Sequence, residues 1–450
     1  MINSFIIKYL IISFCLLPLG LALGPAISDL IVSIGGIFFL IYLYLTKNIN
    51  FLNKSYFLIF LVIVAYLIFT SLISSNPLLS LESTLFYFRF GVMVLIIVYL
   101  SKNTNFLKYF TISLAATLII IALDTYIEFF YQESLLFSIF FGQSSYFYKE
   151  CSECVNFSGR LSGIFGEELI LGSYLVRLLP ILIGLLFFSF SSFKYFNYII
   201  LFIIVLISSA IFLSGERTAF FMLLLLISIT AILIKNLRKI IILAGIISFS
   251  IIIINITINV ELKTRMVNYT INQFYQTTIK DSEDKLVELE DKRISFFTVQ
   301  HEVIYLTSFK IFKDNNLLFG IGPKIFREKC LDKKYHSYTI KDGSVNGCQL
   351  HPHNTYIQIL LETGIIGFLI LISLFMYLNI KFLIFVIKNF NNYLDKYTLL
   401  SIFSLINIYI NLWPLMPSGN FFNNWLSIVF FVPVGIYFYT NELKNHPPVK

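Results

Sequence analysis

The sequence predicts an all-α, polytopic membrane protein of about twelve transmembrane helices, and three observations carry that prediction. The chain of 450 residues is 58% apolar and 13% charged, against about 45–50% and about 25% in soluble domains. Apolar runs such as 57–73 and 239–258 are long enough to cross a hydrocarbon core about 30 Å thick. Lysine and arginine recur in alternate short loops, the pattern that orients membrane helices.

Taken in order, the expected spans are roughly 4–22, 27–46, 56–74, 84–101, 107–130, 168–190, 196–213, 217–234, 238–258, 354–380, 396–413 and 422–440. The first reads as a span and not as a cleavable signal peptide. It is long for such a segment, lacks a basic start and leads directly into another span. Lys47 and Lys54, Lys102 and Lys108, and Lys194 mark the even-numbered loops. So do Lys235, Arg238 and Lys239, and Lys381, Lys388 and Lys396, while the short loops around 23–26, 72–83 and 411–421 hold no Lys or Arg. Cytoplasmic termini are therefore expected, with the long loops 131–167 and 259–353 facing outward. The net charge of +8 is this topology signal, and no nucleic-acid partner is expected. The chain divides into 1–258 (helices one to nine, with outward loop 131–167), a large outward loop 259–353, and 354–450 (helices ten to twelve and a cytoplasmic tail).

A twelve-span transporter often shows paired halves with broken spans at matching positions; here no such repeat stands out. Instead, the loop 259–353 holds four of the five histidines and 26 of the 58 charged side chains, so polar chemistry is expected there. Within it, KDSEDKLVELEDK (280–292) reads as a solvated helix of mixed charge. Residues 293–314 follow as an amphipathic helix, with Phe297, Val299, Ile304, Leu306 and Phe309 toward one face. That helix would lie on the membrane surface or cover a cavity. NNLLFGIGPKIF (315–326) makes a Gly/Pro turn. Cys151, Cys154, Cys330 and Cys348 all fall in the outward loops, where an oxidising compartment favours disulfides. Free thiols or a zinc site are the alternatives, and the connectivity is open.

Several residues are candidates for chemistry. Arg217 opens a span on the outer side, where the short outward loops otherwise lack cations. It suits bidentate phosphate binding, or it is an interfacial arginine snorkelling to water. Arg160 precedes a span, with Glu167 and Glu168 close behind. Arg177 and Arg89 lie deeper, where charges are functional candidates or salt-bridge partners of Glu168, Glu128 or Asp124. His353 and Asn354 stand where the polar loop enters a helix. Asn354 suffices to cap the helix start, which leaves His353 free to accept a proton. The helix N-terminus beside it favours an anion. Metal chemistry is not expected: the first outward loop has only Asp29, and the DSED at 281–284 reads as a solvated charge run. Arginine is the expected charge neutraliser.

These motifs resemble the O-antigen ligase and polymerase superfamily of bacterial envelopes. His353-Asn354, nine residues, Gly364, two residues and Gly367 looks like the family's signature at the end of its large outward loop. Ser214-Gly215-Glu216-Arg217-Thr218 is similar to its Ser-x-x-Arg-Thr entry into a span, though Phe221 stands where the family often has Leu. LLFGIGPKIF (317–326) resembles its Gly-x-Gly-Pro turn, and GRLSGIFGEELILGSYL (159–175) the Arg-Leu-x-Gly-x-Phe segment of one branch. The resemblance implies a GT-C-like membrane fold and an inverting glycosyltransferase without metal or cofactor. Its donor would be a glycan on undecaprenyl pyrophosphate, and its acceptor the lipid A core or a lipid-linked glycan. It would sit among the lipids of the bacterial inner membrane with the large loop periplasmic. His353 would position or deprotonate the acceptor hydroxyl. Arg217, Arg160 and a loop arginine would hold pyrophosphate, with Arg293 the expected loop residue and Arg265 in reserve. Asn354, Glu168, Gly364 and Gly367 would support the site. Ligation, repeat-unit polymerisation, protein O-glycosylation and polysaccharide transport are the competing functions, with ligation favoured.

Overall fold

A computed structural model describes residues 2–142, 160–273, 276–280, 286–293, 297–339, 346–389 and 392–445. The chain opens with α1 (Ile2–Cys15) and α2 (Leu17–Leu23), two apolar helices meeting at a 49° bend. Pro18 at the start of α2 removes a backbone donor, which accounts for the break. There follow α3 (Pro25–Leu45), α4 (Ser55–Leu72), α5 (Pro77–Thr84), α6 (Phe88–Asn103), α7 (Phe106–Tyr131) and α8 (Leu135–Phe141). The second group comprises α9 (Leu171–Phe190), α10 (Phe196–Leu213), α11 (Arg217–Leu233) and α12 (Arg238–Ile258).

Nine helices among the described residues are long and apolar enough to span a membrane, or ten if the bent pair counts as one. The protein is thus a multi-pass membrane protein. The other two expected spans form shorter helices: α11, of 17 residues, and α18 (Lys396–Asn411), of 16. At the centre, α9 is buried around most of its circumference and packs against α7, α10, α11 and α18. An apolar helix without a polar face belongs there. The outer helices α3, α4 and α12 expose residues such as Ile37, Val62 and Phe249, a lipid-facing surface.

The segment after α12 forms α13 (Val260–Lys263), a π-helical turn over Thr264–Asn268 and α14 (Tyr269–Gln273). Beyond it, β1 (Gln276–Lys280) pairs antiparallel with β2 (Leu286–Arg293), Ile279 lying opposite Val287. The strand β3 (Tyr338–Thr339) joins on the other edge of β1. The helix expected over 280–292 is therefore corrected to a hairpin arm. Its Val287, Glu288, Leu289, Glu290 run alternates with period two, which suits a strand. The DSED run lies outside the described residues.

The expected amphipathic helix is α15 (Val299–Lys313), shorter than the range 293–314. Thr298 caps it, its side chain accepting from the His301 amide. Its buried face is Val303, Ile304, Thr307, Ser308 and Ile311, whereas Leu306 and Phe309 are exposed. Small hydroxyl residues won the inner face because the chain at Gly347 packs closely on Thr307. With α16 (Phe326–Lys329), α15 forms a second small core around Ile321, Ile325, Phe326 and Tyr335, sealed onto the bundle by Leu361. Cys330 and Cys348 form a disulfide within this cap, their Cα atoms 5.0 Å apart; Cys151 and Cys154 lie outside the described residues.

The long helix α17 (Thr355–Asn389) is broken at Gly364, where φ is 68° and ψ −170°. The chain at 317–322 inserts there. Ile365 N donates to Leu317 O (2.9 Å), while Leu361 O and Glu362 O accept from Ile321 N (3.0 Å) and Gly322 N (2.9 Å). The bonds an unbroken helix would make are thus exchanged for bonds across two segments. Gly320 permits the approach, since a Cβ there would stand 2.6 Å from the Gly364 nitrogen. The bundle closes with α18 against α9 and with α19 (Asn424–Asn445) against α6.

Candidate functional site

The site is built around a turn. Ser214, Gly215 and Glu216 link α10 to α11, with Gly215 at φ 71°. Glu216 Oε1 accepts from the amide of Gly172 (2.7 Å), and Oε2 from Ser173 Oγ (2.7 Å). It thereby caps the N-terminus of α9 from another helix, where the aligned amides favour a carboxylate. Gly172 has no room for a side chain beside Ser214. Leu161 N bonds Ser214 O at 3.1 Å, so the segment carrying Arg160 lies along the same turn.

Three arginines converge here. A terminal nitrogen of Arg160 stands 4.0 Å from Glu216 Oε2 and donates to Leu169 O at 2.6 Å. Arg217 is the first residue of α11. Arg265, in the π-helical turn, donates from Nε to Gly215 O at 2.9 Å. Burial, then the positive charges of Arg160 and Arg217, push the Arg265 guanidinium down to about 10. At neutral pH it remains charged. Burial raises the Glu216 carboxyl, opposed foremost by Arg160. Three cations around one carboxylate leave an excess of positive charge, which suits a polyanionic ligand.

The histidines complete the site from the cap. His301, in the first turn of α15, shares a 2.7 Å hydrogen bond between Nδ1 and Thr298 Oγ1. Its ring centroid is 5.8 Å from that of His353, and the His351 ring is 4.0 Å from His353. Burial lowers all three. His301 falls to about 4, with further contributions from His353 and Arg217, and His351 falls to about 3. Their imidazoles are neutral near pH 7, the form that accepts a proton. Arg217 is near enough to His301 to add to that lowering.

His353 has a left-handed backbone, φ 55°, a conformation costly for a non-glycine residue. Its carbonyl accepts from Ser418 N at 2.8 Å, which holds the turn in place. Asn354 Oδ1 accepts from the amides of Tyr356 (2.9 Å) and Ile357 (3.1 Å), while Nδ2 donates to Pro414 O at 2.9 Å. The asparagine is committed to capping α17 and tying it to the 414–418 loop. The imidazole beside it takes no part in that cap.

Of the residues singled out in the sequence, Arg160, Arg217 and His353 share one end of the bundle, and Gly364 makes the break in α17. Gly367 lies one turn beyond, packed against Thr363 and near Tyr66. Arg293 does not open a helix: it ends β2, its Cα opposite Gln276. The loop arginine that meets Arg160 and Arg217 is Arg265. Glu168 is exposed and forms no ion pair among the described residues, so the acid of this site is Glu216. The expected partners of the deep arginines also change. Arg89 pairs with Asp29 at 2.8 Å, Arg177 donates to Asn411, and Glu128 accepts from the amide of Gly163 at 2.7 Å. His301 was missed as a site residue, although Thr298 three residues before it is a helix-capping signal. Among the described residues, no group of three His, Cys, Asp or Glu side chains is arranged to hold a metal ion.

Residues 202–372 match the family model described as O-antigen ligase. This segment is similar to O-antigen ligases. It runs from α10 into α17 and contains Arg217, Arg265, His301, His353, Gly364 and Gly367. No curated protein matches the chain.

Proposed function

We propose that this protein is an inverting, metal-independent glycosyltransferase that moves a glycan from undecaprenyl pyrophosphate to an acceptor hydroxyl, most simply on the lipid A core. The observation that carries the proposal is the gathering of Arg160, Arg217 and Arg265 about Glu216 at the same end of the bundle as the neutral histidine cluster, with all of these but Arg160 inside the segment that matches O-antigen ligases. The acceptor oxygen forms a bond to the anomeric carbon as the bond from that carbon to the pyrophosphate oxygen breaks, and the electron pair leaves with the pyrophosphate. Attack from the face opposite the leaving group inverts the centre. Arg217, Arg265 and Arg160 neutralise the charge growing on the pyrophosphate, while His353 receives the hydroxyl proton. Its neutral form at pH 7 suits that role, and its fixed turn suits orienting the acceptor.

The basic loops support an inner-membrane orientation with both termini cytoplasmic and 259–353 periplasmic. Lys54 and Lys102 meet at Glu442, and Asn236 bonds Leu394 at 3.1 Å beside Lys235, which groups these loops at the end away from His353. On this reading 1–258 and 354–450 form the membrane body and 259–353 the outer cap.

The test is the lipopolysaccharide profile of a His353→Ala strain, with lipid-linked glycan extracted in parallel. Bare core with accumulated long lipid-linked chains is the expected result. Core bearing a single repeat would assign polymerisation instead, and an unchanged profile with normally inserted protein would overturn the catalytic role of His353. EDTA treatment of membrane vesicles is expected to leave transfer intact; restoration of lost activity by Mg²⁺ or Mn²⁺ would overturn metal independence.

A further inference from the structure

The polar cap carries an apolar tip. Leu317, Leu318 and Phe319 belong to the stretch that inserts at the break in α17, and Leu317 and Leu318 are 45% and 54% exposed. The Phe319 ring meets that of Phe69 edge to face, 5.2 Å between centroids. Phe69, Leu72 and Ile73 at the end of α4, with Ile365 and Leu369 of α17, are exposed as well. The tip therefore continues the lipid-facing surface of the bundle, although the segment around it is polar.

Its depth follows from counting along two helices. A hydrocarbon core of about 30 Å takes about 20 residues of α-helix. Counted back from Lys381, the first lysine of α17, that length ends near Leu361; counted forward from Lys54, just before α4, it ends near Ser74. The two end points meet in space. Gly322 N donates to Glu362 O at 2.9 Å, and a Cβ on Gly322 would stand 2.4 Å from Ser74 Cβ. Leu317 O and Leu318 O accept from Ile365 N (2.9 Å) and Ile366 N (3.4 Å), one turn further along α17. The tip thus lies about 6 Å inside that boundary, at 1.5 Å per residue.

Non-helical backbone is tolerated at such a depth only when its polar groups are bonded within the protein. Here Asn316 Oδ1 accepts from the amides of Leu318 (3.0 Å) and Phe319 (3.1 Å), while α17 donates to the carbonyls of Leu317 and Leu318. The backbone is turned inward and the leucine side chains outward. Charged residues flank the tip, Lys313 and Asp314 before it and Lys324 after it, the last paired with Glu82 at 2.9 Å. A short apolar run between charged flanks is the pattern of a segment that enters a bilayer from its surface.

We propose that Leu317, Leu318 and Phe319 dip into the bilayer and contact the acyl chains of the leaflet on the cap side, so that the cap is held by lipid as well as by α17. The occupant is bulk bilayer lipid, because the tip is continuous with the exposed ends of α4 and α17. The inference concerns the seating of the cap and holds whichever glycosyl transfer the protein performs.

The test places a tryptophan at the tip of the full-length protein, reconstituted in phosphatidylcholine vesicles with or without bromine on the acyl chains. Leu318→Trp adds one indole to Trp413 and Trp425, and the unaltered protein run in parallel supplies the background. The added emission is expected to be mostly lost in brominated lipid and little changed by iodide present on both sides of the membrane. Leu331→Trp is the reference: Leu331 is exposed beside the exposed Asp332, Lys333 and Lys334, and its added emission is expected to yield to iodide and not to bromine. Quenching of the tip by iodide alone would place it in water and overturn the proposal. Quenching by neither agent would show that protein covers it, a second copy or another chain, and would overturn it too. Equal quenching of both variants by brominated lipid would remove the distinction between tip and cap. If Leu318→Trp does not fold, Leu317→Trp decides by the same outcomes.

Discussion

The two ends of the helical bundle treat charge in opposite ways. At one end Glu442 takes Lys54 at 3.1 Å and Lys102, and Tyr56 donates to it at 3.2 Å. The lysine side chains there are about 30% exposed. At the other end Arg160, Arg217 and Arg265 crowd a single buried carboxylate that is already capping α9. Ion pairs open to water contribute little, and the first end needs nothing beyond itself. The second holds an excess of cations in a partly dehydrated turn, where an incoming anion interacts strongly. The lesson is that charge number does not distinguish an anchor from a site; burial and imbalance do.

The largest test of that contrast is removal of the site's central groups. His353→Ala and Arg217→Ala are each expected to lower transfer in membrane vesicles by about 10²–10⁴, with unchanged insertion and elution. Near-normal turnover in either would erase the distinction between the two ends. Arg265→Ala is expected to cost about 10²–10³ in rate, whereas Arg293→Ala leaves the rate nearly unchanged. The reverse ranking would move the site toward β2.

Smaller effects sharpen the structural side. Gly364→Ala places a side chain against the Leu318 carbonyl at φ 68° and is expected to cost about 1–3 kcal/mol, read from thermal unfolding. Gly36→Ala is the control, its Cβ meeting Val92 at an ordinary 3.7 Å. Acid should weaken the cap next. Because His301 drops from 6.5 to about 4 on folding, the unfolded chain binds more protons between those values. Its stabilising contribution is present above pH 6.5 and lost as pH falls toward 4. Unfolding scans at pH 7.5 and 5 should show this loss reduced in His301→Asn. Smallest of all, Lys102→Ala should change stability by no more than about 1 kcal/mol, measured by the same scans. A larger drop would mean that the opposite end is more than an anchor.

Much of this was legible in the sequence. Span composition revealed the bundle, and the helix-entry position of His353 beside a capping asparagine revealed the candidate base. Arg217 stood out because it breaks the charge pattern of the short outer loops. What stayed hidden depends on contacts between distant segments. Nothing local to Glu216 says that it caps a helix beginning at Leu171, and nothing near Gly320 says that it faces Gly364. Arg265 and Arg293 were equivalent as loop cations until a turn of π-helix brought one of them to Gly215. In α15 the expected face was only partly right: Leu306 and Phe309 are exposed, and Thr307 and Ser308 turn inward, where the chain at Gly347 packs too closely for larger side chains.

The break in α17 has a consequence for how the cap is held. The start of α17 is held at two attachments, the Ser418 bond to the His353 carbonyl and the exchange of backbone bonds around Gly364 two to three turns on. Together they fix the height of the imidazole relative to the membrane body, as a pinned shelf bracket fixes a shelf whatever is stacked on it. Changes elsewhere in the polar segment then leave the depth of the imidazole unaltered so long as both attachments stand.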